Sequence, residues 1–128
     1  PIYAECGGLV YLAAEVEGER LVGHFPATAR MLKRRKALGY REVTLRVDTL
    51  LGPAGTVVRG HEFHYSEMEM PVEVRRCYRV AARNGRETFS EGFGKGNILA
   101  SYVHLHFGSN PQAAANFVGA CRNTKVKV

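Results

Sequence analysis

The sequence predicts a single domain of the α/β class, and three observations support that prediction. The chain has 128 residues, of which 45% are apolar, and this suffices for one hydrophobic core. Apolar residues recur at helical spacing near both ends of the chain. Between those ends, apolar and polar residues alternate in several short runs, which is typical of half-buried strands. The sequence contains no repeats or low-complexity linkers, so one α/β unit accounts for all of it.

The first third of the chain predicts one strand followed by two helices. Residues 1–5 form a short apolar run typical of a strand, and apolar positions recur at helical spacing over residues 8–17. Residues 26–39, PATARMLKRRKALG, have a proline near their start and a glycine at their end, the preferred asymmetry of a helix. We therefore expect helices over residues 8–17 and 26–39.

The rest of the chain predicts a β-rich middle and a C-terminal helix. Residues 40–66 alternate apolar and polar side chains on both sides of a GPAG turn, which predicts a hairpin. CYRVAARNG and ETFSEGFGKGN predict two strands with a turn at Asn84 and Gly85, and ILASYVHLHF predicts one long strand. The final SNPQAAANFVGACRN predicts a helix with Ser109 as its cap and Pro111 in its first turn.

Composition and charge argue against several classes of function. Three widely spaced cysteines fit neither a disulfide framework nor a CxxC metal pair, so we expect a reducing, cytoplasmic setting. No apolar run reaches the roughly 18 to 20 residues that a membrane span requires. The net charge is +6, but the densest basic run, RMLKRRK, lacks interleaved aromatic residues and is interpreted as a solvated helix face. We expect no membrane and no nucleic-acid partner.

Cys6 has the sequence setting of an activated nucleophile. It lies between a predicted strand and two glycines that open a predicted helix, the order found in the nucleophile elbow of hydrolases. A helix N-terminus lowers the pKa of a cysteine thiol, so we expect a reactive thiolate. The N–H of Gly7 would then donate to a tetrahedral oxyanion. The alternative is that Cys6 is a small buried apolar residue at a turn, as free cysteines often are.

Histidines near the end of the long predicted strand supply a candidate base. His104 and His106 are two residues apart and therefore lie on one face of a strand. Imidazole accepts the proton of a thiol and returns it to a leaving amine, so this pair and Cys6 together fit thiol acyl-transfer chemistry. The alternative is one histidine in the core and one merely exposed. His61 and His64 add two imidazoles, but no metal motif is complete and we expect no metal.

Three stretches of the chain together resemble a known family. AECGGLVYL, GHEFHYS and ASYVHLHFGSNP occur in the order and spacing of the C-terminal glutamine amidotransferase domain of cobyrinic acid a,c-diamide synthases. The resemblance covers nearly the whole chain, including LGYREVTL and LLGPAGTVVRGHEFHYS. It implies a flavodoxin-like class I glutamine amidotransferase fold. It also implies that residues 1–128 are only the C-terminal portion of that domain, preceded by the first amidotransferase strands and an ATP-dependent synthetase domain.

The resemblance also implies a role for each residue of the candidate site. Cys6 would attack the side-chain amide of glutamine, and His104 matches the catalytic histidine. His106 occupies the place where most class I amidotransferases have an orienting Glu. The segment beside the bound glutamine is matched by His64, Tyr65 and Ser66. No cofactor is expected in this chain, because ATP and Mg²⁺ would bind to the synthetase domain.

The implied function is the glutaminase half of an ATP-dependent, glutamine-hydrolysing enzyme. That enzyme would amidate the a and c carboxylates of cobyrinic acid in cobalamin biosynthesis. Its partners would be glutamine and, through the synthetase domain, a corrinoid carboxylic acid, and this chain alone is expected to be inactive. Hydrogenobyrinic acid and nickel-sirohydrochlorin a,c-diamide synthases remain alternatives. Two others are a different thiol hydrolase and a basic, non-catalytic interaction module in which RMLKRRK binds an anionic partner.

Overall fold

The computed structural model describes residues 1–125, which form two sheets and a few helices. The first strands and helix are β1 (Ile2–Glu5), α1 (Gly7–Tyr11), β2 (Glu15–Val16), β3 (Glu19–Arg20) and β4 (Thr28–Met31). The middle strands are β5 (Ala37–Leu45), β6 (Val57–His64), β7 (Ser66–Glu69), β8 (Arg75–Ala82) and β9 (Thr88–Lys95). The last elements are β10 (Ile98–Ser101), β11 (His104–Leu105), a 3₁₀ helix (Phe107–Ser109) and α2 (Pro111–Asn123). The predicted α/β class is confirmed.

The larger sheet has seven strands in the order β1-β10-β9-β8-β5-β6-β11, so β1 and β11 are its two edges. Only the β1–β10 pair is parallel in this sheet. The two edges nevertheless meet, because a carboxylate oxygen of Glu5 accepts the N–H of Leu105 at 2.8 Å. The rings of Tyr3 and Phe107 are also in contact, with centroids 5.8 Å apart. The first strand and the last strand of the chain are therefore neighbours.

The smaller sheet has the order β3-β2-β4-β7, and the chain passes directly into it from the larger sheet. A single residue, Tyr65, separates β6 of the larger sheet from β7 of the smaller one. The carbonyls of His64 and Tyr65 at this corner accept the N–H groups of Lys36 and Leu32, at 2.9 and 2.7 Å. The GHEFHYS segment is thus fixed where one strand passes between the two sheets.

Two hydrophobic clusters support this arrangement, one within the larger sheet and against α2, the other around α1 and the smaller sheet. The first cluster consists of Val43, Leu45, Leu51, Val58, Cys77, Tyr78, Val80, Leu99, Val103, Leu105 and Ala113. The second consists of Leu9, Leu12, Ala13, Phe25, Ala27, Met70, Val74, Phe93, Ala100 and Tyr102. The residues that connect β10 to β11 contribute to both clusters, so the end of the chain that carries His104 is held by the whole core.

The helix predicted over residues 26–39 is wrong. Thr28–Met31 is a strand that pairs in parallel with β2 and antiparallel with β7, and residues 37–39 already belong to β5. Ala29 is fully buried between those neighbours. Strand pairing with residues distant in sequence outweighed the local proline and glycine signals. The basic run RMLKRRK accordingly lies on β4 and the connection to β5, not on a helix face.

Two other boundaries differ from the prediction. The helix predicted over residues 8–17 ends at Tyr11, because the chain turns so that Ala14 N–H can donate to Ala27 O at 2.9 Å and β2 can form. The predicted long strand ILASYVHLHF is two strands, since β10 pairs with β1 and β9 whereas β11 pairs with β6. The predicted hairpin of residues 40–66 and the C-terminal helix are confirmed, although Asn110 and not Ser109 is the N-cap residue of α2.

Candidate active site

Cys6 occupies a strained turn between β1 and α1. Its backbone has φ 49° and ψ −106°, a conformation that costs a residue with a side chain on the order of 1–3 kcal/mol. The neighbouring strand β10 holds this turn in place, because the N–H of Cys6 donates to the backbone carbonyl of Ser101 at 2.8 Å. Gly8 is required for the close packing of α1 on β1, since a Cβ there would lie 3.1 Å from that of Ala4. The structure thus has the strand, turn and helix geometry of a nucleophile elbow.

The thiol of Cys6 is protonated in this environment. Burial raises its pKa above the usual value, and the nearby carboxylates of Glu5 and Glu62 act in the same direction. The N–H of Gly7 faces the sulfur and lowers the pKa, but less. The expected lowering of the pKa by the helix N-terminus is therefore wrong, because α1 has only five residues and cannot offset burial. The thiol donates instead to Phe63 O, with Sγ 3.7 Å from that oxygen.

Cys6 opens onto a cleft of about 530 Å³ at the junction of the two sheets. The cleft is lined by Cys6, Gly7, Val10, Met31, His61, Phe63, His64, Tyr65, Ser66 and His104. It brings together six of the seven residues expected at the site, from three separate parts of the chain. The exception is His106, which is exposed and does not line the cleft.

His104 is presented to the cleft by the short edge strand β11. It lies directly opposite His61 of β6, and the two imidazole rings stack with centroids 4.8 Å apart and planes 15° apart. The Nδ1 atom of His104 is buried and has no hydrogen-bond partner among the residues that the structure describes. His106 is held differently: its N–H donates to Arg59 O at 2.8 Å, and its ring lies against Gly108. An orienting role for His106 stays a prediction.

A buried network of charged and polar groups lies beneath the GHEFHYS corner. The carboxylate of Glu62 accepts from Arg41 Nε at 2.8 Å and from His64 Nε2 at 2.7 Å. His64 Nδ1 lies 2.6 Å from Ser66 O, so both ring nitrogens of His64 are hydrogen-bonded. Burial raises the pKa of Glu62, but the hydrogen bonds and charges of His64 and Arg41 outweigh it and leave the pKa lowered.

Tyr102 joins this network to the cleft wall. Its ring stacks on that of His64, with centroids 3.8 Å and planes 10° apart. Its hydroxyl lies 2.9 Å from Ser66 Oγ. The side chains of residues 64 and 66 are therefore fixed from inside the protein, whereas the Tyr65 side chain points outward and is 43% exposed. The side chains of residues 61–66 thus alternate between an exposed and a buried face.

A second buried carboxyl, Glu91, holds the connection between β10 and β11. It accepts from Tyr102 N at 2.8 Å, from Gly92 N at 2.5 Å and from the Ser101 hydroxyl. The hydroxyl oxygen of Ser101, Oγ, in turn accepts the N–H of Val103 at 2.9 Å. Burial raises the pKa of Glu91 to about 7 in spite of these hydrogen bonds. The backbone carbonyl of Ser101 also accepts the N–H of Cys6. The carboxyl of Glu91 therefore organises the segment between the thiol and His104.

Sequence reasoning missed part of this site. His61 was visible in GHEFHYS, but its place opposite His104 depends on a strand pair that no local pattern reveals. Glu91 carries a weak signal, since it is the only acidic residue of a strand that also contains Phe89 and Phe93, and nothing nearby in sequence indicates that it is buried. Arg41 likewise has the pattern of an exposed strand residue until its partner Glu62 is known.

Comparison with protein families decides the relationship. Residues 1–112 match the family described as CobB/CobQ-like glutamine amidotransferase domain. The chain belongs to this family. Among curated proteins, it is 45% identical over 130 residues to the cobyrinate a,c-diamide synthase of Leptospira interrogans, covering 94% of this chain and 28% of that protein. It is 47% identical over 130 residues to the enzyme of the same name from Syntrophotalea carbinolica, covering 95% and 28%. The chain thus spans little more than a quarter of the length of these relatives.

Solved structures agree on the fold of this CobB/CobQ-like domain. A protein described as a glutamine amidotransferase superposes with a TM-score of 0.59 at 18% identity, covering 91% of this chain and 58% of that one. A Thermoplasma acidophilum protein described as a GMP synthase component superposes with a TM-score of 0.57 at 20% identity, covering 95% and 57%. At identities this low, the superpositions are evidence on the fold alone, and they confirm the expected glutamine amidotransferase fold.

Two further observations concern residues 1–125 only. No helix in that range is long and apolar enough to cross a membrane. No group of three or more His, Cys, Asp and Glu side chains in the same range is placed to hold a metal ion.

Proposed function

We infer that this chain is the C-terminal part of a glutamine amidotransferase domain and that Cys6 is the nucleophile with which the complete domain hydrolyses glutamine. The observation that carries the proposal is the meeting of a cysteine elbow and a histidine, His104, in one cleft of a CobB/CobQ-like chain. Among residues 1–125, Cys6 is the only cysteine in that cleft, since Cys77 is buried in the core and Cys121 lies on α2. The chemistry that these groups serve is acyl transfer through a thioester.

The residues present suggest the following steps. His104 accepts the thiol proton of Cys6, and the sulfur attacks the side-chain carbonyl carbon of glutamine. The resulting oxyanion accepts the N–H of Gly7. The proton passes from His104 to the leaving nitrogen, the C–N bond breaks and ammonia is released, leaving a thioester on Cys6. Water then attacks the thioester, releasing glutamate and restoring the thiol.

The corner formed by His64, Tyr65 and Ser66 is our proposed contact for the backbone of glutamine. Support comes from their position in the cleft and from the internal network that fixes residues 64 and 66. A rigid corner of this kind holds a substrate without a large loss of side-chain entropy on binding.

The activity of the complete enzyme is proposed from the names of the curated relatives. We propose that ammonia passes to an ATP- and Mg²⁺-dependent synthetase domain that amidates the a and c carboxylates of cobyrinic acid, a corrinoid, in cobalamin biosynthesis and in the cytoplasm. Hydrogenobyrinic acid and nickel-sirohydrochlorin remain alternative acceptors, since the site proposed here binds glutamine and not the acceptor. The chain by itself is proposed to be inactive or slow, because the buried Nδ1 of His104 has no acceptor among residues 1–125.

The test uses the longest polypeptide that carries this chain. It is treated with a glutamine-derived diazo-ketone, and the modified residue is located by peptide mass mapping. We expect labelling at Cys6 that glutamine blocks, and loss of glutamine-dependent but not ammonia-dependent amidation in Cys6→Ala. Cys121→Ala is the matched control, because this exposed thiol lies on α2, outside the cleft. Labelling that is absent from Cys6 in the folded protein, or equal at Cys121, would overturn the proposal.

A further inference from the structure

His104 lacks the hydrogen bond that normally fixes a catalytic imidazole. A histidine base is usually held by an acceptor on the ring nitrogen that does not face the substrate. Here that atom, Nδ1, is buried and has no partner among residues 1–125. Rotation of the ring about its Cβ–Cγ bond is therefore opposed by packing alone, and the question is which residue supplies that packing.

The structure places one flat surface against the ring. His61 stacks on His104 with centroids 4.8 Å apart and planes only 15° from parallel. The contact is built into the strand pairing, since these residues face each other across β6 and β11. The adjoining Gly60 permits this close approach, because a Cβ at that position would lie 2.0 Å from His104 O.

His61 is available to pack on the ring of His104, because its side chain is not part of the hydrophobic core. It is exposed and belongs to neither hydrophobic cluster, and no hydrogen bond of its ring is found among the described residues. It lines the same cleft as Cys6 and His104. Its cross-strand neighbour on the other side, Tyr40, is also exposed but does not line the cleft.

We propose that His61 is a positioning residue that fixes the ring plane of His104 by stacking, in place of a hydrogen bond to Nδ1. The proposal rests on the proposed glutaminase chemistry of Cys6 and His104. A ring contact of this kind changes the population of one ring orientation by roughly 3- to 10-fold. A flat aromatic ring is the property that matters, so phenylalanine can replace His61 and alanine cannot.

The test compares His61→Ala, His61→Phe and the control Tyr40→Ala in the longest polypeptide that carries this chain. The first readout is the NMR spectrum of the His104 ring protons, whose ring-current shift we expect to disappear in His61→Ala and to persist in the other two variants. The second is the rate of Cys6 labelling by the glutamine-derived diazo-ketone. We expect it to fall roughly 3- to 10-fold in His61→Ala at saturating reagent, with little change in half-saturation, and to be retained in His61→Phe.

The possible outcomes separate this proposal from the one on which it rests. Equal loss in His61→Phe and His61→Ala would overturn positioning by stacking and indicate that the imidazole of residue 61 itself transfers protons. Wild-type rates and wild-type His104 shifts in His61→Ala would overturn it as well. If Cys6 is not labelled in the wild type, the proposed glutaminase function fails, and the positioning role fails with it.

Discussion

Removal of the Glu62 carboxylate will strongly destabilise the fold. Glu62 is bonded to Arg41 and His64, and the three side chains are only 8%, 14% and 6% exposed. Glu62→Ala leaves two buried donors without their shared acceptor, and breaking a buried charge pair in this way costs about 3–5 kcal/mol. Glu62→Gln keeps the shape and one acceptor oxygen. We therefore expect a smaller cost, roughly 1–2 kcal/mol.

The pH dependence gives a second test of the same network. The pKa of Glu62 is lowered from 4.5 in the folded state, so the folded form binds the proton less readily than the unfolded form. The stability from this group is complete above that value and is lost as pH falls through the lower, folded pKa. Glu62→Gln should remove this part of the acid sensitivity.

The assay is urea unfolding of the wild type and both variants at neutral pH and below about pH 4. Glu67→Gln is a suitable control, because its ion pair with Lys36 is largely exposed, with 42% and 52% of the two side chains accessible. A free energy of unfolding for Glu62→Ala within about 1 kcal/mol of the wild type would refute the reasoning. So would equal costs for the alanine and glutamine variants.

Three other changes give predictions of different kinds. Gly60→Ala should lower the free energy of unfolding in urea by roughly 1–3 kcal/mol and slow the labelling of Cys6, because its Cβ would lie 2.0 Å from the His104 carbonyl oxygen. Gly119→Ala is the control: its Cβ would have no atom within 4 Å, so this change should be neutral or stabilising. Ser101→Ala should cost roughly 1–3 kcal/mol, because it strips a buried main-chain N–H of its acceptor. The pKa of Glu91 is raised from 4.5 to about 7 in the folded state. This group therefore contributes its full stabilisation below the unfolded value of 4.5 and loses it as pH rises through the folded value. The free energy of unfolding should therefore fall by about 3 kcal/mol as pH rises between them, and Glu91→Gln should flatten that fall.

Each of these predictions has a contrary result. Equal stabilities of Gly60→Ala and Gly119→Ala would mean that β11 moves away from β6 without cost. A neutral Ser101→Ala would show that water replaces its hydroxyl, and parallel stability curves for the wild type and Glu91→Gln would mean that Glu91 does not titrate in that range.

The elements that sequence predicted well are those whose cause is local. The Cys6 elbow needs a strand, a turn and two adjacent glycines, all within a few residues, and the structure has it. The start of α2 at Pro111 is equally local. The helix predicted over residues 26–39 failed because Thr28–Met31 is held by β2 and β7, whose sequences lie far from it. Local propensity differences are small, and two rows of strand hydrogen bonds override them.

The same division applies to the candidate site. Cys6 and His104 were identifiable because residue type and motif pointed to them. The protonated state of the thiol was not, since it depends on burial and on Glu62, which lies on β6, far from Cys6 in sequence. The stack of His61 on His104 depends likewise on one strand register. Electrostatic environment and ring contacts are tertiary properties, and a single sequence constrains them weakly.

The meeting of the sheet's two edges has a consequence for how activity is acquired. Cys6 follows one edge strand and His104 lies on the other, with five strands between them in the sheet order. A partly folded chain without the pairs of β5, β6 and β11 has neither His61 opposite His104 nor the cleft wall formed by GHEFHYS, so its site is incomplete. Competence for catalysis should therefore arise only at the last step of folding. The reactivity of Cys6 toward a glutamine analogue is thus a measure of the fully native population, and not of a stable subdomain.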